Sequence, residues 1–146
     1  MLRHNLWLLA AFVGICFVFS GAVVYSVRVA RGDTGEAHRA AATFYARLQQ
    51  RDFSGAQAML TRERQSVISR ATLANYMSRF EKKHGALSKA ELADTPTVYG
   101  NRVSIFPRYV EESRLMTGTN GTSGAGMLHL QPEDGAWKIG RISIVP

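Results

Sequence analysis

The sequence has little cysteine: among its 146 residues the single one, Cys16, lies inside a long apolar run. One cysteine excludes a small domain held together by disulfides. Acidic residues are also few, since 11 Asp and Glu stand against 18 Lys and Arg, which gives a formal net charge of +7. The length and composition further exclude a multidomain enzyme, a collagen-like chain and a disordered chain. What remains is one apolar segment and one small basic domain.

The apolar segment is an uncharged run of 23 residues, 5–27. At about 1.5 Å per residue a helix of this length reaches roughly 34 Å, enough to cross a hydrocarbon core of about 30 Å. Trp7 and Tyr25 lie near its two ends, where aromatic residues are expected at a membrane surface. The run predicts a single transmembrane helix within an N-terminal segment, 1–31, followed by a short juncture, 32–35. A signal peptide cleaved near Ser20–Ala22 is the alternative that these residues leave open.

The location is predicted from the same segment. The positive charges of Arg3 on one side and Arg28 and Arg31 on the other nearly balance, so charge decides little about orientation. The very short N-terminal tail favours a single-pass protein of the inner (cytoplasmic) membrane. In this orientation the N-terminus is cytoplasmic and the domain is periplasmic or otherwise extracytoplasmic.

The remainder, 36–146, is predicted to form one domain whose first half is helical. Apolar residues at three-and-four spacing predict an amphipathic helix from Glu36 to about Leu48. A short second helix is expected around Ala56–Leu60. A third is expected to begin after Thr72 as N-cap and to end before Gly85. The arginine-rich stretch 61–66 is interpreted as a polar connection.

The second half is predicted to be strands. Four segments have strand-like patterns, with a bulge expected at Gly140–Arg141. They are Leu87–Val98, Arg102–Glu111, Met127–Gln131 and Ala136–Val145. The ten residues 117–126 contain four glycines and are interpreted as a long mobile loop. The fold class is therefore α+β, with about three helices packed on a curved antiparallel sheet of about four strands.

Two segments then resemble the NTF2-like superfamily, also called SnoaL-like or cystatin-like. The first is Phe44–Ala56, an aromatic helix followed by a D-F-S-G-A turn, and the second is Asp134–Ile139, with the sequence D-G-A-W-K-I. The resemblance covers about 36–145 and implies a cone-shaped domain. The chain resembles bacterial membrane-anchored members of this superfamily, and this resemblance implies a scaffold or assembly role.

Residues expected to line such a cone are candidates for binding a small apolar ligand or lipid. The four chosen are Tyr45, Phe80, His129 and Trp137. Resemblance to ketosteroid isomerases further implies that the Tyr45 phenol could stabilise an oxyanion in an isomerase or dehydratase. That chemistry also needs a carboxylate. Glu63 lies in the arginine-rich stretch and Glu111 and Glu112 are expected to end a strand, so no catalytic residue is assigned.

The remaining candidate groups are the histidines and the clustered basic residues. The four histidines are scattered without ligand spacing, so neither a metal nor another cofactor is expected. The densest positive charge predicts a basic face that meets anionic head groups or an acidic partner, with a merely solvated face as the alternative. Its members are Arg62, Arg64, Arg70, Arg79, Lys82 and Lys83. Nucleic acid is not expected, because the basic residues are not interleaved with aromatic ones.

The sequence therefore predicts a non-catalytic, membrane-anchored interaction or assembly module that acts by protein or lipid-surface contact. A protein partner or a homo-oligomer is expected. Binding of a small apolar ligand in the cone and an isomerase-type enzyme using Tyr45 remain as alternatives.

Overall fold

A computed structural model describes residues 34–99 and 109–145 of the chain. The chain divides into two compact units, Met1–Asp33 and Thr34–Pro146, and the second contains every element described below. The expected transmembrane helix, its signal-peptide alternative and most of the strand Arg102–Glu111 lie outside the described residues. Within the described ranges no helix is long and apolar enough to cross a membrane. The fold class is corrected accordingly, to an α+β domain whose described part has no membrane-spanning helix.

The described residues form four helices, where three were predicted. They are α1 (34–49), α2 (Phe53–Ala58), α3 (Arg62–Val67) and α4 (Arg70–His84). The additional helix, α3, occupies the stretch interpreted from sequence as a polar connection. It forms because the Thr61 hydroxyl accepts a hydrogen bond from the Arg64 backbone N–H, which satisfies one of the free donors of a helix start. Its six residues bury none of their side chains.

Helix α4 begins three residues earlier than expected and ends where expected. Its N-cap is Ser69, whose hydroxyl accepts a hydrogen bond from the Thr72 N–H at 3.1 Å. The predicted N-cap Thr72 is therefore already inside the helix. The helix ends before Gly85, which adopts a positive φ of 75° that a side chain would disfavour.

Five strands lie within the described residues, where about four were predicted, and they form one antiparallel sheet. They are β1 (Leu87–Leu92), β2 (Thr97–Tyr99), β3 (Tyr109–Gly118), β4 (Ser123–Glu133) and β5 (Ala136–Val145). The order is β1-β3-β4-β5, with β2 pairing the start of β3. The first predicted strand, Leu87–Val98, is interrupted after Leu92, which produces β1 and β2. Strand β5 confirms its predicted bounds.

The expected loop at 117–126 is wrong, because most of it continues the sheet. Strands β3 and β4 pair from Val110↔Leu130 to Thr117↔Ser123, so only residues 119–122 form a turn. Tertiary packing explains the glycines. A Cβ at Gly118 would overlap the His84 carbonyl, and a Cβ at Gly126 would overlap the Tyr45 hydroxyl. The glycines let the helices approach the sheet closely.

The predicted bulge in β5 is confirmed. His129 pairs with Arg141 and Leu130 pairs with Ile139, so Gly140 is the extra residue between them. The Gly140 carbonyl, which the ladder leaves available, accepts a hydrogen bond from Arg64 Nε at 2.6 Å. The bulge thus re-aims one backbone acceptor toward α3.

The core lies between the helices and one face of the sheet. Its largest fully buried members are apolar side chains from α1, α4, β4 and β5, among them Phe44, Leu48, Phe80, Leu128, Leu130 and Ile139. Trp137 is half-buried and packs against this core. The chain leaving α2 is also fixed to the sheet, because Ile139 exchanges 3.0 Å backbone hydrogen bonds with Met59 and Thr61.

Candidate functional site

The side chains of β3 alternate between two faces of the sheet. Val110, Glu112 and Met116 are buried on the face that the helices cover, which we call the inner face. Tyr109 and Leu115 lie on the opposite, outer face. The inner face carries a group of buried charged residues, and the outer face carries a group of stacked aromatic rings.

The inner face carries a buried charge cluster, defined by His38 and Tyr45 of α1 and by Glu112 and Arg114 of β3. Arg114 Nε donates to Glu112 Oε1 at 2.7 Å, and Arg114 Nη1 donates to the Ala90 carbonyl at 3.1 Å. His38 Nδ1 lies 3.5 Å from Glu112 Oε1. Glu112 is fully buried, whereas the His38 side chain is 42 % exposed. The cluster therefore runs from the interior toward solvent along α1.

Glu112 is only partly satisfied. Its Oε1 is shared by Arg114 and His38, but its Oε2 has no hydrogen-bond partner among the described residues. Burial raises the pKa of Glu112 above its ordinary value, and the charge and hydrogen bond of Arg114 and the nearby His38 offset part of this rise. A buried carboxylate oxygen without a partner is uncommon and makes the cluster a candidate functional site.

Tyr45 is the second incompletely bonded member of the cluster. Its ring lies 5.7 Å from Arg114 Cζ, and its buried hydroxyl has no hydrogen-bond partner among the described residues. Burial raises the pKa of the Tyr45 phenol; the Arg114 charge opposes this effect and the Glu112 charge adds to it. The hydroxyl is therefore neutral at physiological pH and able to donate.

Sequence reasoning named Tyr45 but missed its three neighbours. Glu112 was expected to end a strand, yet β3 continues for six more residues to Gly118. The signal that was missed is the alternation of side chains along a strand. Val110, Glu112 and Met116 are separated by even numbers of residues and so share one face, which places the carboxylate among apolar residues. His38 precedes Tyr45 by two helical turns, and this spacing puts both on one side of α1.

The outer face carries stacked rings. The Tyr99 and Tyr109 rings stack with centroids 4.6 Å apart, and the Tyr109 and His129 rings stack at 5.3 Å. His129 Nε2 also lies 3.1 Å from Glu111 Oε2. His129 was a candidate for the interior of the cone, but the structure places it on the outer face. Of the four lining candidates, Tyr45 and Phe80 belong to the buried core and Trp137 lies at its margin.

Large apolar side chains accompany these rings. Leu115 is 45 % exposed, Tyr99 41 % and Met127 38 %. Residues 115 and 127 lie on the same sheet face as Tyr109 and His129, because each is an even number of positions away from them along β3 and β4. We call the set Tyr99, Tyr109, Leu115, Met127 and His129 the outer surface.

The predicted basic face divides into two groups. Arg62 pairs with Asp134 at 2.6 Å and with Glu133 at 3.9 Å, and Arg64 bonds the Gly140 carbonyl. These two cations therefore fix α3 to the β4–β5 hairpin. The remaining members, Arg70, Arg79, Lys82 and Lys83, are exposed along α4. Arg79 Cζ lies 5.9 Å from the Tyr76 ring.

Comparisons of the chain with protein-family models and with curated proteins found no match. The resemblance to the NTF2-like superfamily stays a prediction from the residues quoted for it. Across 34–99 and 109–145 no group of three or more His, Cys, Asp or Glu side chains is arranged to hold a metal ion.

Proposed function

We propose that the domain is a non-catalytic interaction module that binds a protein partner through the outer surface. The observation that carries the proposal is the combination of stacked rings with exposed leucine and methionine on one sheet face. Aromatic residues and methionine are enriched in protein interfaces, and buried aromatic side chains supply much of their binding energy.

The geometry of the outer surface suits this role. Tyr109 is held between two stacked neighbours, so its ring loses little conformational freedom when a partner covers it. The pair of Glu111 and His129 supplies polar groups beside the apolar ones. Such a mixture is typical of an interface core with a polar rim.

A protein partner is favoured over an anionic lipid surface for a specific reason. Two of the six residues expected to form a basic face, Arg62 and Arg64, are engaged by the β4–β5 hairpin. The other four of the six lie along a single helix, α4. A second copy of this chain is one form that the protein partner could take.

The two alternatives from the sequence are less well supported. An isomerase would need a carboxylate free to act as a base beside the Tyr45 hydroxyl, and the carboxylate of the cluster, Glu112, is already paired with Arg114. An apolar ligand on the inner face would have to lie against Glu112 and Arg114. That the domain is not an enzyme stays a prediction.

The test compares charged substitutions on and off the outer surface. Leu115→Lys and Met127→Lys place a cation within it, whereas Val67→Lys changes a 65 % exposed apolar residue at the end of α3. Affinity-tagged full chains are purified from cells in mild detergent and the bound proteins are identified and quantified. We expect the unaltered chain and Val67→Lys to recover the same partner in similar amounts. Leu115→Lys and Met127→Lys should each recover at least about tenfold less of this partner.

Two results would contradict the proposal. One is repeated recovery of free monomer alone from the unaltered chain. The other is a partner that all three variants retain equally. A second copy of the chain as partner is recognised by the mass of the complex in light scattering, and its loss in Leu115→Lys supports the proposal in the same way.

A further inference from the structure

The buried charge cluster contains two polar atoms that the fold leaves unbonded. Tyr45 Oη and Glu112 Oε2 are both buried and neither has a hydrogen-bond partner among the described residues. Buried polar groups are bonded in the great majority of cases, because an unpaired one costs stability. Two such atoms in one cluster require an explanation.

Arg114 connects the two atoms. Its guanidinium donates to Glu112 Oε1 at 2.7 Å and lies 5.7 Å from the centre of the Tyr45 ring. The guanidinium therefore contacts both residues and neutralises the charge of Glu112. What remains beside it is one carboxylate acceptor and one phenolic donor, with no net charge between Arg114 and Glu112.

The sheet leaves room for the phenol at this position. Arg114 of β3 pairs with Gly126 of β4, and a Cβ at residue 126 would overlap the Tyr45 hydroxyl oxygen and lie 3.0 Å from Met116 Sδ. A glycine here lets the hydroxyl sit against the backbone of β4. Its position is thus built by two elements, α1 and β4.

Solvent reaches the cluster through His38. Its side chain is 42 % exposed, and its Nδ1 lies 3.5 Å both from Glu112 Oε1 and from the Arg114 guanidinium. Between His38 and Tyr45, α1 presents the small, buried Ala41 to the same side. The imidazole is therefore the member of the cluster that lies at the protein surface.

We propose that Tyr45 and Glu112 form a binding site for a small neutral molecule that carries an adjacent hydrogen-bond donor and acceptor, as a primary amide or an alcohol does. The N–H or O–H of the ligand donates to Glu112 Oε2, and its oxygen accepts from Tyr45 Oη. A neutral ligand fits because Arg114 already balances Glu112, so an added charge would be buried without a partner. This site is independent of the outer surface.

The test uses three molecules of nearly the same shape. Acetamide carries a donor and an acceptor, acetate only acceptors and a negative charge, and acetamidinium only donors and a positive charge. Binding to the ¹⁵N-labelled full chain is followed by titration of the Gly126 amide signal. We expect saturable binding of acetamide with a millimolar Kd, as its few atoms allow. Acetate and acetamidinium should bind at least about tenfold more weakly.

Matched variants locate the site. Tyr45→Phe removes a hydroxyl that bonds no described residue, so the chain should keep its fold while acetamide binding weakens at least about tenfold. Tyr76→Phe removes the corresponding hydroxyl from α4 and should leave binding unchanged. The proposal is overturned if the unaltered chain shows no saturable shift, or if Tyr45→Phe and Tyr76→Phe bind acetamide equally.

Discussion

The Nε of Arg114 donates to Glu112 Oε1 across 2.7 Å, and both side chains are buried on the inner face of β3. An ion pair inside a core is expensive to desolvate, and its mutual attraction offsets that cost only when the geometry is good. Removing one member of this buried pair should therefore destabilise the domain more than removing one member of an exposed pair.

We expect Arg114→Met to lower the free energy of unfolding by about 3–5 kcal/mol at pH 7, because Glu112 would be buried without its partner. The double variant Glu112→Leu/Arg114→Met should recover most of this loss, since it removes both charges. Urea unfolding measures both effects. Glu91→Ala is the control: it breaks the exposed Lys89–Glu91 pair at 2.7 Å and should cost no more than about 1 kcal/mol. Equal losses for Arg114→Met and Glu91→Ala would contradict this expectation.

The pH dependence of stability should carry the signature of Glu112. Burial raises its pKa in the folded state despite Arg114, whereas the unfolded chain has a value of about 4.3. Between these two values the folded state holds a proton that the unfolded state has released. The contribution of Glu112 to stability is therefore fully present below the unfolded pKa and is lost as pH rises through the folded pKa.

Glu112→Gln removes this titration and serves as the reference. We expect the difference in unfolding free energy, unaltered chain minus Glu112→Gln, to decrease from about pH 4.3 upward and then to level off. Urea unfolding at intervals between pH 4 and 8 measures it. A difference that increases with pH would mean that Arg114 lowers the pKa of Glu112 more than burial raises it.

Local patterns predicted much of the fold. Strand β5 has its expected bounds, the bulge at Gly140 is present, and α4 ends before Gly85. Each of these features depends on residues adjacent in sequence, such as a turn signal or a change of phase. The break between β1 and β2 was missed although a local signal marks it: the interruption contains Asp94 and Pro96, and proline has no backbone N–H to donate to β3.

The candidate site was less predictable. Glycine-rich residues 117–126 were expected to form a loop, but most of them belong to β3 and β4. Gly118 and Gly126 are required there because the His84 carbonyl and the Tyr45 hydroxyl lie too close to leave room for a Cβ. Glu112 was dismissed because β3 was expected to end there. Both errors concern contacts between residues far apart in the chain, which periodicity alone does not reveal.

The contact of Tyr45 with Gly126 can be tested by a double-mutant cycle. A Cβ at residue 126 would overlap the Tyr45 hydroxyl oxygen, so Gly126→Ala should lower the unfolding free energy by about 1–3 kcal/mol. In a Tyr45→Phe background the same substitution should cost less, because the overlapping oxygen is gone. The coupling energy, from urea unfolding of all four chains, should exceed about 0.5 kcal/mol. If the effects of Gly126→Ala and Tyr45→Phe on the unfolding free energy simply add, the Tyr45 hydroxyl does not contact residue 126.

Gly118 poses a harder constraint, since a Cβ there would overlap the backbone carbonyl of His84 rather than a side chain. No rotamer change relieves this contact, so the end of α4 would have to move away from β3. We expect Gly118→Ala to cost about 2–3 kcal/mol and to disturb the 2.7 Å contact between His84 Nδ1 and Thr122 Oγ1, visible in the His84 ring signals by NMR. Gly35→Ala is the control, because a Cβ there meets nothing within 4 Å. In a helix it should stabilise by up to about 1 kcal/mol. If both substitutions were tolerated alike, α4 would not be held against β3 by backbone contact, and the close approach of helix and sheet could not explain why residue 118 is a glycine.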